Sequence, residues 1–275
     1  MTVIAMTREM GTMGKDIAAG LADRLGIEVV HHELVERQLA DRLKTSESAV
    51  HRFLEGEASI WERWKIDTKR LSRFTAQEIL ELALRGNVLI RGWGAAQLLR
   101  DVPHVICVRV CSPMKNRVDE MKKRLKLDKS DVARREIERN DNAHDRAVQR
   151  QFQVDWKDPT HYDVVINTGY VPITTGVALL QQLAKSGAYD ATEATRSILM
   201  DKLLEARIQS VLDEHLPDSP IGSSLNVTAK DGNVVLEGVL SADRNYQGVI
   251  AEIQAIEGVK SVANETVKIA MTYGP

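Results

Sequence analysis

The chain has 275 residues, with 37 Lys and Arg against 39 Asp and Glu, a formal net charge of −2, and 43% hydrophobic residues. That length accommodates two domains, and the near-neutral balance argues against a general nucleic-acid binder. No apolar run approaches the ~18 residues of a membrane span and the N-terminus has no signal-peptide pattern, so the expected location is the cytoplasm.

The first element expected is a strand, "TVIAMT", which ends in the glycine-spaced stretch "REMGTMGKDIA". After it, Ile17, Leu21 and Leu25 share one helical face that closes on Gly26. Strand, loop and helix in this order open a parallel α/β sheet. "IEVVH" reads as a second strand, and a long helical region follows to about Arg85, interrupted near "EGEAS". "NVLIRG", "HVICVRVC" and "YDVVIN" are the third, fourth and fifth strands. Cys107 and Cys111 fall within the fourth at strand spacing and read as reduced core thiols. One long charged helical stretch is expected from Pro113 to about Phe152, and "TTGVALLQQLAK" supplies a closing helix. Strands alternating with helices imply a doubly wound parallel sheet with helices on both faces and ligands at the carboxyl ends of its strands.

The pattern changes after residue 186. "SGAYDATEAT" is small, polar and aperiodic, and residues 187–196 read as a linker. Residues 197–272 follow as helix, two strands flanking Asp231-Gly232, a second helix ending at Gly258, and a last strand. Alternating apolar residues around Asp-Gly are the strongest short-range hairpin signal. The expected second domain is therefore a small αββαβ α+β module.

Between strand and helix, a glycine loop can present bare N–H groups and a helix N-terminus to phosphate oxygens. The full pattern G-x-x-x-x-G-K-[ST] is not met, because Glu9 stands at its first glycine and Asp16 at its hydroxyl position. Read alone, the stretch is either a phosphate loop or a glycine-rich turn with an exposed lysine. From 115 to 150 there are twelve Lys and Arg against eight Asp and Glu. Such a run is either a solvated helical face or a set of cations that close over a transferring phosphoryl group.

These stretches together carry a resemblance. "REIERNDNAHDRAVQRQF", "DWKDPTHYDVVINT" and "ALRGNVLIRGWGAAQLLRD" resemble the lid, the closing strand and the third-strand segment of cytidylate kinases and their cytidylate-kinase-like relatives. The first loop of that wider family commonly reads R-E-[FY]-G-[ST]-x-G-[RK]-x-I-A, which Arg8, Glu9, Gly11, Gly14, Lys15, Ile17 and Ala18 fit. The resemblance, over about residues 1–185, implies a P-loop fold with a helical lid that uses ATP and Mg2+. It implies donor phosphates on the Gly11, Thr12, Met13 and Gly14 backbone and on Lys15, lid contacts from Arg139 and Arg146, and a further arginine at Arg124. Asp145 belongs to the D-R-A element, and Trp156 to a D-W pair that packs the base of the lid. Asp16, a hard oxygen donor, is the candidate magnesium ligand, with Glu33 as a second anionic one.

Departures from the family pattern are equally specific. Where cytidylate kinases carry D-G-R-D after the third strand, this chain reads Arg91-Gly92-Trp93-Gly94, and an acidic lid residue is replaced by Ala143. The pair His31-His32 has no third metal ligand in sequence and reads as structural or surface. Trp61 and Trp64, three residues apart, suit core packing or base stacking.

The tail, "DGNVVLEGVLSADRNYQGVIAEIQAIEGVKSVANETVKI", resembles a BON domain through its D-G-x-V-x-L-x-G-x-V hairpin and G-V-x-x-V near the end. This implies a non-catalytic module for a small-molecule, phospholipid or protein ligand. Two functions follow: a phosphotransferase that moves a phosphoryl group from ATP to a nucleoside monophosphate or related acceptor, or a nucleotide-sensing pseudokinase that signals through the module. Homo-oligomerisation is open under either.

Overall fold

A computed structural model describes residues 1–31, 40, 46, 48, 68–92, 94–126, 128–215, 224–241 and 246–270. His32, Glu33, the interruption near "EGEAS", Trp61, Trp64 and Trp93 lie outside the described residues. The described strands are β1 (Val3–Arg8), β2 (Glu28–His31), β3 (Val88–Arg91), β4 (Val105–Cys111), β5 (Val164–Asn167), β6 (Ser224–Lys230), β7 (Asn233–Ser241) and β8 (Ser261–Ala270). The described helices are α1 (Gly14–Leu25), α2 (Thr68–Arg85), α3 (Ala95–Leu98), α4 (Met114–Leu125), α5 (Ser130–Phe152), α6 (Ile173–Ala184), α7 (Glu193–His215) and α8 (Tyr246–Gln254).

β1 is apolar and buried along nearly its whole length, as a strand covered on both faces must be. It lies at the centre of a fully parallel sheet of order β2-β3-β1-β4-β5. Side chains alternate in direction along a strand. Ile4, Met6, Ile106 and Val108 therefore share one face, where they pack with Ile17 and Leu21 of α1 and Val177 and Leu180 of α6. Cys107 and Arg109 point the other way, and the Cys107 thiol donates to the Ala96 carbonyl of α3 at 3.4 Å. The expected parallel α/β sheet is present, and the loop after β1 opens at its carboxyl edge, between the ends of β3 and β4.

The charged stretch expected as one helix is two. α4 stops at Lys126, whose backbone is left-handed (φ 53°) and whose N–H returns to the Lys122 carbonyl. No glycine or proline marks this break. Its sequence signals are electrostatic: Lys122, Lys123 and Arg124 in the last turn of α4 and Asp131 in the first turn of α5 suit opposite ends of two helix dipoles. Similarly, α7 begins at Glu193, inside the stretch expected as linker.

The chain divides into two compact units. The first comprises Met1–Leu71 and Arg85–Thr192; the second comprises Ser72–Leu84 and Glu193–Pro275. From sequence all of residues 1–186 were expected in the first domain, whereas Ser72–Leu84 group with the second unit. Within that unit Arg73 pairs with Asp213, Glu81 with Arg207 at 2.9 Å, and the Gln77 amide donates to Ser210 Oγ at 2.6 Å and to the Ala206 carbonyl at 3.1 Å. Nothing in local sequence pattern reveals a partner some 130 residues away.

The C-terminal elements run α7-β6-β7-α8-β8, with β6 antiparallel and β8 parallel to the central β7. Leu204, Ile208 and Leu212 of α7, Leu225, Val234 and Leu236 of the sheet, and Val249 and Ile253 of α8 form its core. Lys230 and Asn233 pair across a two-residue turn in which Asp231 and Gly232 both have positive φ, 52° and 80°. That conformation suits the right-handed twist of the flanking strands and favours Asp-Gly. The Asp201 carboxylate of α7 accepts from both turn N–H groups, Asp231 at 2.8 Å and Gly232 at 3.1 Å. No described helix is long and apolar enough to cross a membrane.

Asp201 thus holds the hairpin to the helix through two charge-assisted hydrogen bonds. Asp201→Ala should lower the stability of this unit by about 1.5–3 kcal/mol, read as a lower urea midpoint at unchanged slope, whereas Asp201→Asn should retain part of it.

Candidate active site

Helix α1 starts without a side-chain cap. Its N-cap residue, Met13, is left-handed (φ 60°), and its side chain makes no capping bond. Gly11, Thr12 and Gly14 are buried, yet among the described residues no acceptor takes a hydrogen bond from the N–H of Gly11, Thr12, Met13, Gly14 or Lys15. Buried main-chain donors are nearly always paired in folded proteins. Five donors in a row without an acceptor among the described residues, three of them in buried residues and all at the positive end of a helix, are an arrangement that suits an anion such as a phosphate. Gly11 is required here twice over. Its φ is +79°, and a Cβ on it would lie 2.8 Å from the Arg117 carbonyl oxygen.

The loop is held from beneath by charge. Glu9 is 8% exposed and its carboxylate is shared by two arginines. Arg109 Nη2 donates to Oε1 at 2.5 Å, and Arg117 Nη1 lies 3.4 Å from Oε2. Arg109 also donates to the Lys157 carbonyl at 2.8 Å, and its guanidinium carbon is 5.4 Å from the centre of the buried Trp156 ring. His144 of α5 meets the same ring edge-on at 4.4 Å, so Trp156 joins β4 to the base of α5. Arg117 donates from Nε to the Met10 carbonyl at 2.7 Å and from Nη2 to Asp141 Oδ1 at 2.7 Å.

The Tyr-Asp-x-x-x-Asn-Thr stretch fixes the loop from the other side. The Thr168 hydroxyl donates to the Thr12 carbonyl at 2.8 Å, while Thr12 Oγ1 donates to the Glu9 carbonyl at 2.8 Å. Asp163 accepts from the Cys107 N–H at 2.7 Å and from Arg100 at 2.6 Å, and Tyr162 donates to the Trp156 carbonyl at 2.6 Å. Burial pushes the Tyr162 phenol up to about 12. Burial and then the neighbouring Asp163 charge push the Cys107 thiol to about 12, and burial also raises Cys111.

Of the residues anticipated from sequence, Gly11, Thr12, Met13, Gly14, Lys15 and Asp16 are brought together by the loop and the first turn of α1. Lys15 and Asp16 are both exposed. Asp16 complements the helix dipole in its first turn whether or not a metal is bound. Among the described residues no three His, Cys, Asp or Glu side chains cluster to hold a metal ion. A single carboxylate at the loop is nonetheless a donor set that suits Mg2+, which keeps waters and substrate oxygens as its other ligands. Arg124, Arg139 and Arg146 lie on the surfaces of α4 and α5, Arg124 against Met121 Sδ and Arg139 beside Glu136. Asp145 is half-buried on α5, and His31 ends β2 beside Arg91. Sequence reasoning missed Arg109, Arg117 and Thr168. An arginine inside the apolar run "ICVRVC" was the available signal, since a charge there requires a buried partner.

Comparison with known proteins gives a family and a fold. The model of the cytidylate kinase-like family matches residues 3–170. An uncharacterized protein from Eubacterium ventriosum shares the fold at a TM-score of 0.55 and 19% identity, over 68% of this chain and 99% of that one. Shikimate kinase from Bacteroides thetaiotaomicron aligns at a TM-score of 0.40 and 14% identity, over 66% of this chain and 97% of that one. None of the curated proteins matches the sequence.

Two outcomes follow from the buried groups. Glu9→Gln removes the counter-charge of the buried Arg109 and leaves Arg117 with Asp141 alone, and should cost about 3–5 kcal/mol of unfolding free energy, measurable by urea denaturation. The Cys107 thiol is protonated in the folded chain well above its ordinary 9.0. Its contribution to stability is complete below that value and is lost as pH climbs towards 12, because the unfolded chain then releases the proton first. At pH 8, iodoacetamide should modify Cys107 in the native protein roughly a hundredfold more slowly than in urea; equal rates would contradict the buried assignment.

Proposed function

The chain belongs to the cytidylate kinase-like family, and from that premise we propose that it is an ATP-dependent phosphotransferase acting on a nucleoside monophosphate or a related phosphate-bearing acceptor, with its C-terminal αββαβ unit serving as a BON-like binding module. The observation that carries this reading is the glycine loop whose five successive main-chain donors have no acceptor among the described residues.

Phosphoryl transfer asks little covalent chemistry of a protein; positioning and charge neutralisation supply most of the rate enhancement. The loop N–H groups from Gly11 to Lys15 bind and orient the donor phosphates, and the Lys15 ammonium adds a point charge at the terminal ones. Arg139 and Arg146 supply planar guanidinium forks from α5 to the transferring group, with Arg124 at the neighbouring end of α4. No general base is assigned, because a phosphate acceptor is already anionic. Mg2+, held by Asp16 directly or through water, would neutralise charge between phosphate oxygens. A carboxylate beside a triphosphate repels it unless a cation intervenes, so nucleotide binding should depend on the metal more steeply than in a loop bearing a hydroxyl.

A second reading, the nucleotide-sensing pseudokinase, is favoured by two specific positions. Arg91-Gly92-Trp93-Gly94 replaces the acceptor-binding D-G-R-D at the end of β3. Ala143, in place of an acidic lid residue, is 1% exposed within α5 and offers an acceptor no polar contact. In either case the C-terminal unit would take a small-molecule, phospholipid or protein ligand.

Phosphoryl transfer from Mg-ATP should be measured across CMP, dCMP, UMP and further phosphate-bearing acceptors, with Lys15→Ala alongside. Turnover that falls at least about a hundredfold in the variant establishes the phosphotransferase. Tight Mg-ATP binding without turnover on any acceptor selects the sensor instead, and absence of both would falsify the nucleotide reading altogether.

A further inference from the structure

Arg117 is 4% exposed, which keeps it from direct contact with a substrate, yet its guanidinium touches two separate elements of the site. Nε donates to the Met10 carbonyl in the glycine loop, and Nη1 faces Glu9 at the base of that loop. Nη2 donates to Asp141 on α5. Packing repeats the same connection. Val118 and Met121 of α4 and Ala133 and Ile137 of α5 form one apolar cluster against which Met10 of the loop packs. The main chain of Arg117 also abuts Gly11, where a Cβ would stand 3.2 Å from its Cα. Asp141 lies between two of the exposed arginines of α5, two residues after Arg139 and five before Arg146.

We propose that Arg117 is a positioning residue that couples phosphate binding at the glycine loop to the placement of the helix carrying Arg139 and Arg146. The inference rests on the nucleotide reading of the loop given above. A guanidinium is a rigid planar fork, so its Nε and Nη2 partners cannot move independently without losing one of two short hydrogen bonds. When the loop tightens on a phosphate, the Met10 carbonyl moves with it, and the plane carries that displacement to Asp141. By linkage the effect is reciprocal: seating α5 favours the loop conformation that holds phosphate. The Arg134–Glu138 pair on α5 is exposed, 3.9 Å long and links nothing to the loop, so it serves as the control.

The test uses the full chain, with Mg-ATP as the probe and limited trypsin digestion after Arg139 and Arg146 as the readout of α5 placement. Mg-ATP should slow this cleavage in the wild type. Asp141→Ala should bind Mg-ATP within about threefold of wild type but show no slowing, and any turnover should lose at least about tenfold in kcat at little change in KM for ATP. Asp141→Asn, which keeps an acceptor for Nη2, should recover part of the protection and also serves if the alanine variant does not fold. Glu138→Gln should behave as wild type. Protection of Asp141→Ala and Asp141→Asn equal to that of wild type overturns the coupling and leaves the nucleotide reading standing. So does a wild type that binds Mg-ATP without protecting α5. A wild type that binds no Mg-ATP removes the nucleotide reading and the coupling with it.

Discussion

A carboxylate withdrawn from water beside two guanidiniums organises this site. Glu9 occupies the position where a full phosphate-loop pattern has a glycine, and the structure shows what the exchange accomplishes. The loop is not shaped by glycine torsions alone; it is bolted to β4 through Arg109 and to α4 through Arg117. A buried ion pair of this kind is a poor source of net stability, because desolvation opposes its attraction. It is a strong source of geometry, since each member is held in place by the charge of another. The main chain agrees with the side chains: the Glu9 N–H donates to the Val110 carbonyl at 3.1 Å and extends the β1–β4 ladder into the start of the loop.

Given that anchor, the polar residues after β4 have definite tasks. Asp163 clasps β4 through Cys107 and the segment before it through Arg100, Tyr162 holds the Trp156 carbonyl, and Thr168 reaches from the end of β5 to the Thr12 carbonyl. Asp163 fixes the start of β5 to β4, and the other two join β5 and its lead-in to the loop and to the segment beneath α5. The stretch that marks the family in sequence is therefore the stretch that keeps the loop's main-chain donors aimed.

Much of the first unit was legible in the sequence because its signals are local. Val- and Ile-rich runs, a glycine loop between strand and helix, and Asp231-Gly232 between alternating strands each report their own few residues. The αββαβ order was legible for the same reason. What local pattern did not reveal was long-range. The break at Lys126 costs a lysine a left-handed backbone and leaves no glycine as a sign. Arg117 reads as one more cation in a basic stretch, and only its burial against Glu9, Met10 and Asp141 separates it from exposed neighbours such as Arg124. The candidate phosphate ligands were found by residue type and spacing, whereas the residues that orient them were found by contact.

The same limit explains α2. As sequence it is an ordinary amphipathic helix between the second and third strands, within the span matched by the family. In the structure its residues Ser72–Leu84 belong with the C-terminal unit, held by Asp213, Ser210 and Arg207 of α7. A C-terminal module joined only by residues 187–192 could be removed without consequence for the rest. One that contributes the partners of Arg73, Gln77 and Glu81 cannot. The helix is continuous from Thr68 to Arg85 and leads through Gly86 and Asn87 into β3. The second unit is therefore built from two separate stretches of sequence, and the shorter of them, Ser72–Leu84, lies between the second and third strands of the first.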